Sequence, residues 1–247
     1  DPYAWLQDPD YPTVNDQEVL DYLLAENRYF EQYMTPKQHL VDTLFAELKG
    51  RKSDTDESVP YFHNGYHYQW RFNEGDQYRR WYRAAGSHER EQVDPSAWVT
   101  LLDENELAAD QDYFRLGAMS VSPNNQLVAY SIDTDGSERF TLHVVDLASG
   151  AAVTSPITHT IGEAIWNQHS DGLLYRHVNE QWRPDKIYWR KLHNDQADTL
   201  VCAEEDGGFF LSMHLSQSEQ LVFLRSADHV TSETSYMPTA VFSATPV

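Results

Sequence analysis

The chain has 247 residues, 40% hydrophobic and 13% aromatic, with 39 acidic side chains against 18 basic ones and a net charge of −21. That composition supplies a core and excludes a mostly disordered chain. It argues against nucleic-acid and anionic-membrane partners, since phosphate binding needs a surplus of Lys and Arg.

Acidity of this size keeps a protein soluble and steers cationic ligands toward it. The longest apolar runs are too short to predict a membrane span. Asp1 opens the chain with no charged-then-apolar leader, which predicts a processed or excised chain. One cysteine, Cys202, excludes an internal disulfide and a Cys-rich zinc site. It fits a cytoplasmic location and leaves a bacterial periplasm open.

Residues 15–50 predict a helical arm. Asn15 with Glu18 reads as a capping box, followed by Val19, Leu20, Leu23, Leu24, Phe30, Tyr33 and Met34 at 3–4 spacing. A second start signal follows, with Thr35 as cap, Pro36 at the first helical position and Gln38 completing a box. Leu40, Val41, Leu44, Phe45 and Leu48 form its apolar face, and Gly50 is placed to end it. The expectation is an antiparallel helix pair. Arg51 to Ser58, RKSDTDES, is a polar connector and the clearest domain boundary.

From Val59 onward short runs rich in Val, Tyr, Phe and Trp alternate with turn clusters, a strand texture. In VPYFHNGYHYQWRF, His63 and His67 have the i, i+4 spacing of helical zinc ligands. Asn64-Gly65 between them is a two-residue hairpin signal, which pairs His63 with Tyr66 and Phe62 with His67. Strand alternation then sends the two imidazoles to opposite faces and removes the metal reading.

Gln126-Leu127-Val128-Ala129-Tyr130 recurs as Gly172-Leu173-Leu174-Tyr175 and as Gln220-Leu221-Val222-Phe223, with leading leucines 46 and 48 residues apart. Each copy follows a turn: SPNN, QHSD or QSE. TLHVVDL at 141–147 matches KIYWRKL at 186–192 in a second register. A four-strand unit of this period is the signature of a propeller blade, with a sandwich of irregular strands as the alternative. The 189 residues from Val59 to Val247 hold roughly four such units. The last stretch, TSYMPTAVFSATPV, offers no recognisable closing strand. The fold class expected is mainly β: an N-terminal helical pair over 1–50, then about four propeller blades over 51–247.

Chemistry is sparse. The sequence contains no Gly-x-Ser-x-Gly elbow, phosphate loop, Gly-x-Gly-x-x-Gly turn or His-Glu-x-x-His helix. Asp133-Thr134-Asp135-Gly136 lacks the ligand spacing of a calcium loop and reads as a hairpin turn. Asp103-Glu104-Asn105-Glu106 reads as a helix cap, and Trp70, Trp81 and Trp166 as blade packing. No catalytic, cofactor-binding or metal-binding residue is assigned.

Asp1-Pro2-Tyr3, Trp5-Leu6, Ala25-Glu26-Asn27, Leu48 to Arg51, Ser58 to Tyr61 and LLDENELA at 101–108 resemble the prolyl oligopeptidase family of serine peptidases. So do Tyr113-Phe114, Leu116-Gly117, Ser120 to Pro123, Asp133-Thr134, Gly136, Glu138 and Arg183-Pro184-Asp185. The resemblance implies an incomplete form of a seven-bladed propeller. In full-length members a C-terminal α/β-hydrolase domain, absent from this chain, carries the serine, acid and histidine. It further implies that the propeller admits only short peptides, that cleavage follows Lys or Arg, and that the helices pack along the hydrolase domain. None of the matched positions bears the triad, so the chain alone is expected to be inactive. The rival readings are a stand-alone propeller that binds proteins and, more remotely, a metal-dependent hydrolase using the histidines.

Overall fold

The computed structural model describes residues 1–90, 92–193, 197–242 and 246–247. The chain divides into two compact units, residues 1–54 and 55–247.

In the first unit, helix α1 (Gln17–Met34) and helix α2 (Gln38–Gly50) are joined by one 3-10 turn, Thr35–Lys37. The cap of α1 is Asp16, whose carboxylate accepts from Glu18 N at 2.8 Å. The expected cap, Asn15, is displaced because its amide is bound by Asp8 Oδ2 at 2.6 Å. Thr35 does not cap α2: its hydroxyl donates back to Glu31 O at 2.6 Å.

Pro36 fills an early position in the 3-10 turn, where its missing N–H costs nothing, so the chain continues instead of reversing. The pair is therefore present in series, and the antiparallel expectation fails. Each helix packs on the 3-10 turn and not along the other. Gly50 is the last helical residue and not a left-handed stop. Val19 is the one buried position of the expected apolar stripe.

The second unit begins with β1 (Asp56–Glu57), β2 (Tyr61–His63), β3 (Tyr66–Phe72), β4 (Arg80–Ala85) and β5 (Val99–Asp103), followed by helix α3 (Glu104–Ala108). Strands β2 to β5 pair antiparallel in chain order, and β1 also pairs with β3. The polar connector thus contains a short strand, with Asp56 opposite Phe72. The Asn64-Gly65 turn has φ of 46° and 81°, and the register is His63–Tyr66, Phe62–His67 and Tyr61–Tyr68, as the sequence predicts.

A seven-stranded sheet follows: β6 (Arg115–Val121), β7 (Leu127–Asp133), β8 (Phe140–Asp146), β9 (Ile157–Trp166), β10 (Gly172–Val178), β11 (Pro184–Lys191) and β12 (Thr199–Ala203). It is two blades sharing β9. Ile157 pairs with β8 alone, Thr160 with both β8 and β10, and Ala164, Ile165 and Trp166 with β10 alone. The change of partner falls at Gly162, whose φ of +99° is open to glycine and strained for other residues. The last sheet is β13 (Phe210–Leu215), β14 (Leu221–Ala227) and β15 (Ser232–Pro238).

The repeated sequence maps onto equivalent strands. The leucine copies are β7, β10 and β14, the second strand of each blade, and the other register is β8 and β11. The three preceding turns share one geometry. Ser122 N, Asn167 N and Ser216 N donate to Leu127 O, Gly172 O and Leu221 O at 2.8–3.1 Å. Asn125, Ser170 and Glu219 take the left-handed position at φ of 57–61°. The C-terminal expectation needs correction. Ser232–Pro238 is a full strand on β14, and Val247 exchanges backbone hydrogen bonds with Tyr236. The rest of that stretch, residues 243–245, lies outside the described residues.

The second strands β7 and β10 are buried on both faces, whereas β14 buries only the face that carries Val222 and Leu224. Leu173 and Leu174 are both 0% exposed and belong to separate clusters, one with Leu127, Leu142 and Trp166, the other with Leu211, Val222 and Leu224. That is blade-on-blade packing.

In the first blade, Arg80 bonds the Asp76 carboxylate at 2.8 and 3.0 Å and holds its pKa down at about 2. A folded pKa below the ordinary 3.8 gives stability that is present above about pH 4 and lost as pH falls toward about 2. Asp76→Asn is therefore expected to lower the urea midpoint at pH 7, by about 1 kcal/mol for a pair whose arginine stays partly solvated. Near pH 2 the midpoints of variant and parent should coincide.

Candidate substrate-channel surface

The innermost strands of the last three blades face a common cleft. It has a volume of about 220 Å³ and is walled by residues 118–120 of β6, 162–165 of β9 and 213–215 of β13. Small residues make the room: Ala118, Gly162 and Ala164 line it. Gly117 just behind is equally constrained, since a Cβ there would meet the Phe140 ring and Ser131 Oγ at 2.6 Å. Ser131 Oγ accepts from Ala118 N at 3.0 Å, which fixes the irregular stretch of β6 between Leu116 and Met119.

At one end the strand-joining turns form the rim of a second cavity of about 270 Å³, bordered by His63, Pro123, Trp166, Gln168, Glu219 and Thr239 among others. Neighbouring turns are tied to each other. Asn64 Nδ2 donates to Pro123 O at 2.7 Å, Asn124 N to Ser170 Oγ at 3.0 Å and Gln168 N to Thr239 O at 2.9 Å. Trp166 is buried, and its Nε1 donates to Ser120 O at 3.1 Å. His63 Nε2 lies 2.7 Å from Glu219 Oε1, linking the first blade to the last.

The sequence-selected residues fall into place without forming a reaction centre. His63 is half exposed at this rim, whereas His67 is 1% exposed on the opposite face against Phe62. Among the described residues no three His, Cys, Asp or Glu side chains converge as a metal set. The Asp133 carboxylate accepts from the amides of Asp135, Gly136 and Glu138 at 2.7–3.0 Å, closing a turn. Asp103 caps α3 by accepting from Asn105 N at 2.9 Å and is ion-paired with Arg80. Burial pushes the Cys202 thiol up, away from the thiolate a nucleophile needs. Among the described residues no helix is long and apolar enough to cross a membrane. The small channel residues escaped sequence reasoning, because a glycine within a strand pattern marks a bend or a close approach without saying which.

A family model described as the N-terminal beta-propeller domain of prolyl oligopeptidase matches residues 1–243. The chain belongs to the prolyl oligopeptidase family. Within it, the chain is 30% identical over 236 residues to Protease 2 of Moraxella lacunata, covering 94% of this chain and 33% of the relative. It is also 30% identical to Dipeptidyl aminopeptidase BI of Pseudoxanthomonas mexicana, covering 97% of this chain and 34% of the relative. In fold it is similar to oligopeptidase B from Leishmania major, with a TM-score of 0.84 at 24% identity over 97% of this chain and 33% of that one. Oligopeptidase B from Trypanosoma brucei gives 0.82 at the same identity and coverage. The chain thus spans about a third of the length of the curated relatives it matches. The four blades described above and the helix pair before them both lie within the matched range.

Proposed function

We propose that the chain is the propeller part of a serine oligopeptidase that cleaves short peptides after Lys or Arg. In this reading the propeller gates the path to a C-terminal hydrolase domain. The carrying observation is the propeller match over residues 1–243 in a chain spanning a third of its peptidase relatives. The cleft of about 220 Å³ supports the gate, since it is too small for a folded substrate. The net charge of −21 supports a basic substrate by long-range steering. On α1 and α2, Phe30, Tyr33, Phe45 and Leu48 are each 59–67% exposed. Such an apolar face needs a partner, and the hydrolase domain is the occupant we assign to it.

The chain itself then carries no catalytic residue and needs no cofactor or metal. Purified, it should hydrolyse neither a Lys/Arg amide nor a dipeptidyl amide. Turnover that co-purifies with the chain and is blocked by a serine-directed inhibitor would overturn this. The equal identity to Dipeptidyl aminopeptidase BI favours a second specificity, release of dipeptides from the amino terminus. Comparing the two amides on the full-length enzyme decides between them.

A further inference from the structure

A cavity between the first two blades is left unused by the channel. Its volume is about 470 Å³, and its wall includes the aromatic rings of Tyr61, Phe72, Tyr78 and Trp81 together with the polar side chains of Gln77 and Arg79. Facing them are residues 116–119 of β6. One carboxylate reaches it, that of Glu104 on α3, in a residue only 7% exposed. The indole Nε1 of Trp81 donates to Glu104 Oε1 at 2.7 Å, and Glu104 N is clipped to Arg79 O at 3.1 Å.

The charged neighbours leave this carboxylate undercompensated. Asp103 beside it repels it and is itself engaged by Arg80. Arg79, the cation of the cavity wall, has its guanidinium over the Trp70 ring at 4.7 Å and attracts Glu104 through the field. Burial outweighs both the indole and Arg79, so the Glu104 carboxyl sits above the usual carboxylate range. A buried anion with one neutral donor is costly unless something else balances it.

We propose that this cavity binds an organic cation, the ammonium or guanidinium group of a small amine or peptide, with Glu104 as counter-ion and the surrounding rings as cation–π partners. The walls select the class. Aromatic faces with a buried carboxylate suit a delocalised or alkylated cation. A metal ion would want several hard ligands, and no such set converges among the described residues. A neutral ligand would leave the carboxylate desolvated and unpaired. The site does not depend on which peptide bond the full-length enzyme cuts.

The test is calorimetric titration of the 247-residue chain with three amides. N-acetyl-arginine amide offers a guanidinium, leucine amide an ammonium, and N-acetyl-leucine amide no charge. At least one cation is expected to bind and the neutral amide not to. Glu104→Gln should weaken the cation about tenfold or more, whereas Glu89→Gln, the same charge change at an exposed site, should not. If Glu104→Gln fails to fold, the parent alone decides. Cation binding should weaken as the pH is lowered from neutrality and Glu104 takes up its proton, with proton uptake accompanying release of the cation. Equal binding of the neutral amide, unchanged affinity in a folded Glu104→Gln, pH-independent binding, or no cation binding tighter than about 10 mM would each overturn the proposal.

Discussion

Leu173→Ala and Leu174→Ala are each expected to lower the unfolding free energy by about 3 kcal/mol. The two residues are neighbours in β10 and point to opposite faces, and both are completely buried. Leu173 packs in the cluster that includes Leu127, Leu142 and Trp166, and Leu174 in the one that includes Leu211, Val222 and Met237. The clusters share no member, so the two losses should add, giving about 6 kcal/mol in the double variant. That approaches the whole stability of an ordinary domain, and the double variant should be largely unfolded at 25 °C. Urea unfolding of the three variants checks this. A blade between two blades predicts equal losses. In a sandwich one face of the strand meets water, and one substitution would then cost less than about 0.5 kcal/mol.

Gly172→Ala should be as damaging as either leucine truncation, by about 3 kcal/mol. Gly172 opens β10 opposite Lys191, and an added Cβ would lie well inside contact distance of the Trp189 ring and the Arg190 carbonyl oxygen. A ring can turn aside, but a carbonyl in a paired strand cannot move without breaking the ladder between β10 and β11. Trp189 is also held edge-on to Phe242 at 4.9 Å, so relief by ring movement disturbs the packing beyond it. Gly50→Ala makes the contrast. Nothing lies within 4 Å of a Cβ there, and the residue is helical. Thermal unfolding should show Gly50→Ala neutral or more stable by up to about 1 kcal/mol. A Gly172→Ala chain as stable as its parent would show that the blade adjusts its backbone more freely than this close approach allows.

How far the sequence could be read depended on how local the cause was. The Asn64-Gly65 hairpin was legible to the residue, since turn type fixes register within two residues. The blade repeat was legible because β7 and β10 are buried on both faces and read as continuous apolar runs, and β14 opens with the same apolar string. Strand β15 was missed for the opposite reason. SETSYMP is exposed at most positions and carries no apolar alternation, so only its pairing with β14 reveals it. The shared strand β9 was equally hidden, because one uninterrupted strand pattern serves two blades with a bend at Gly162. The cap reading used Asp103 and Glu106 and gave Glu104 no role. Asp103 makes the cap, while Glu104 is turned under the Trp81 indole by the path of β4, a residue distant in sequence.

The sequence by itself determined the mainly β class, the blade period, the first hairpin, the presence of two helices and the family resemblance. These rest on local turn chemistry, hydrophobic periodicity and ordered strings of residues. Tertiary structure decided that the two helices run in series, because Pro36 continues a helix where no left-handed residue reverses the chain. It decided that β9 joins two blades and that Gly162 and small neighbours leave a cleft between the inner strands. It also decided that the Glu104 carboxylate, at the start of α3, lies among aromatic rings from β2, β3 and β4. Those outcomes depend on which side chains meet across blades, and that meeting is set by packing between segments far apart in the chain.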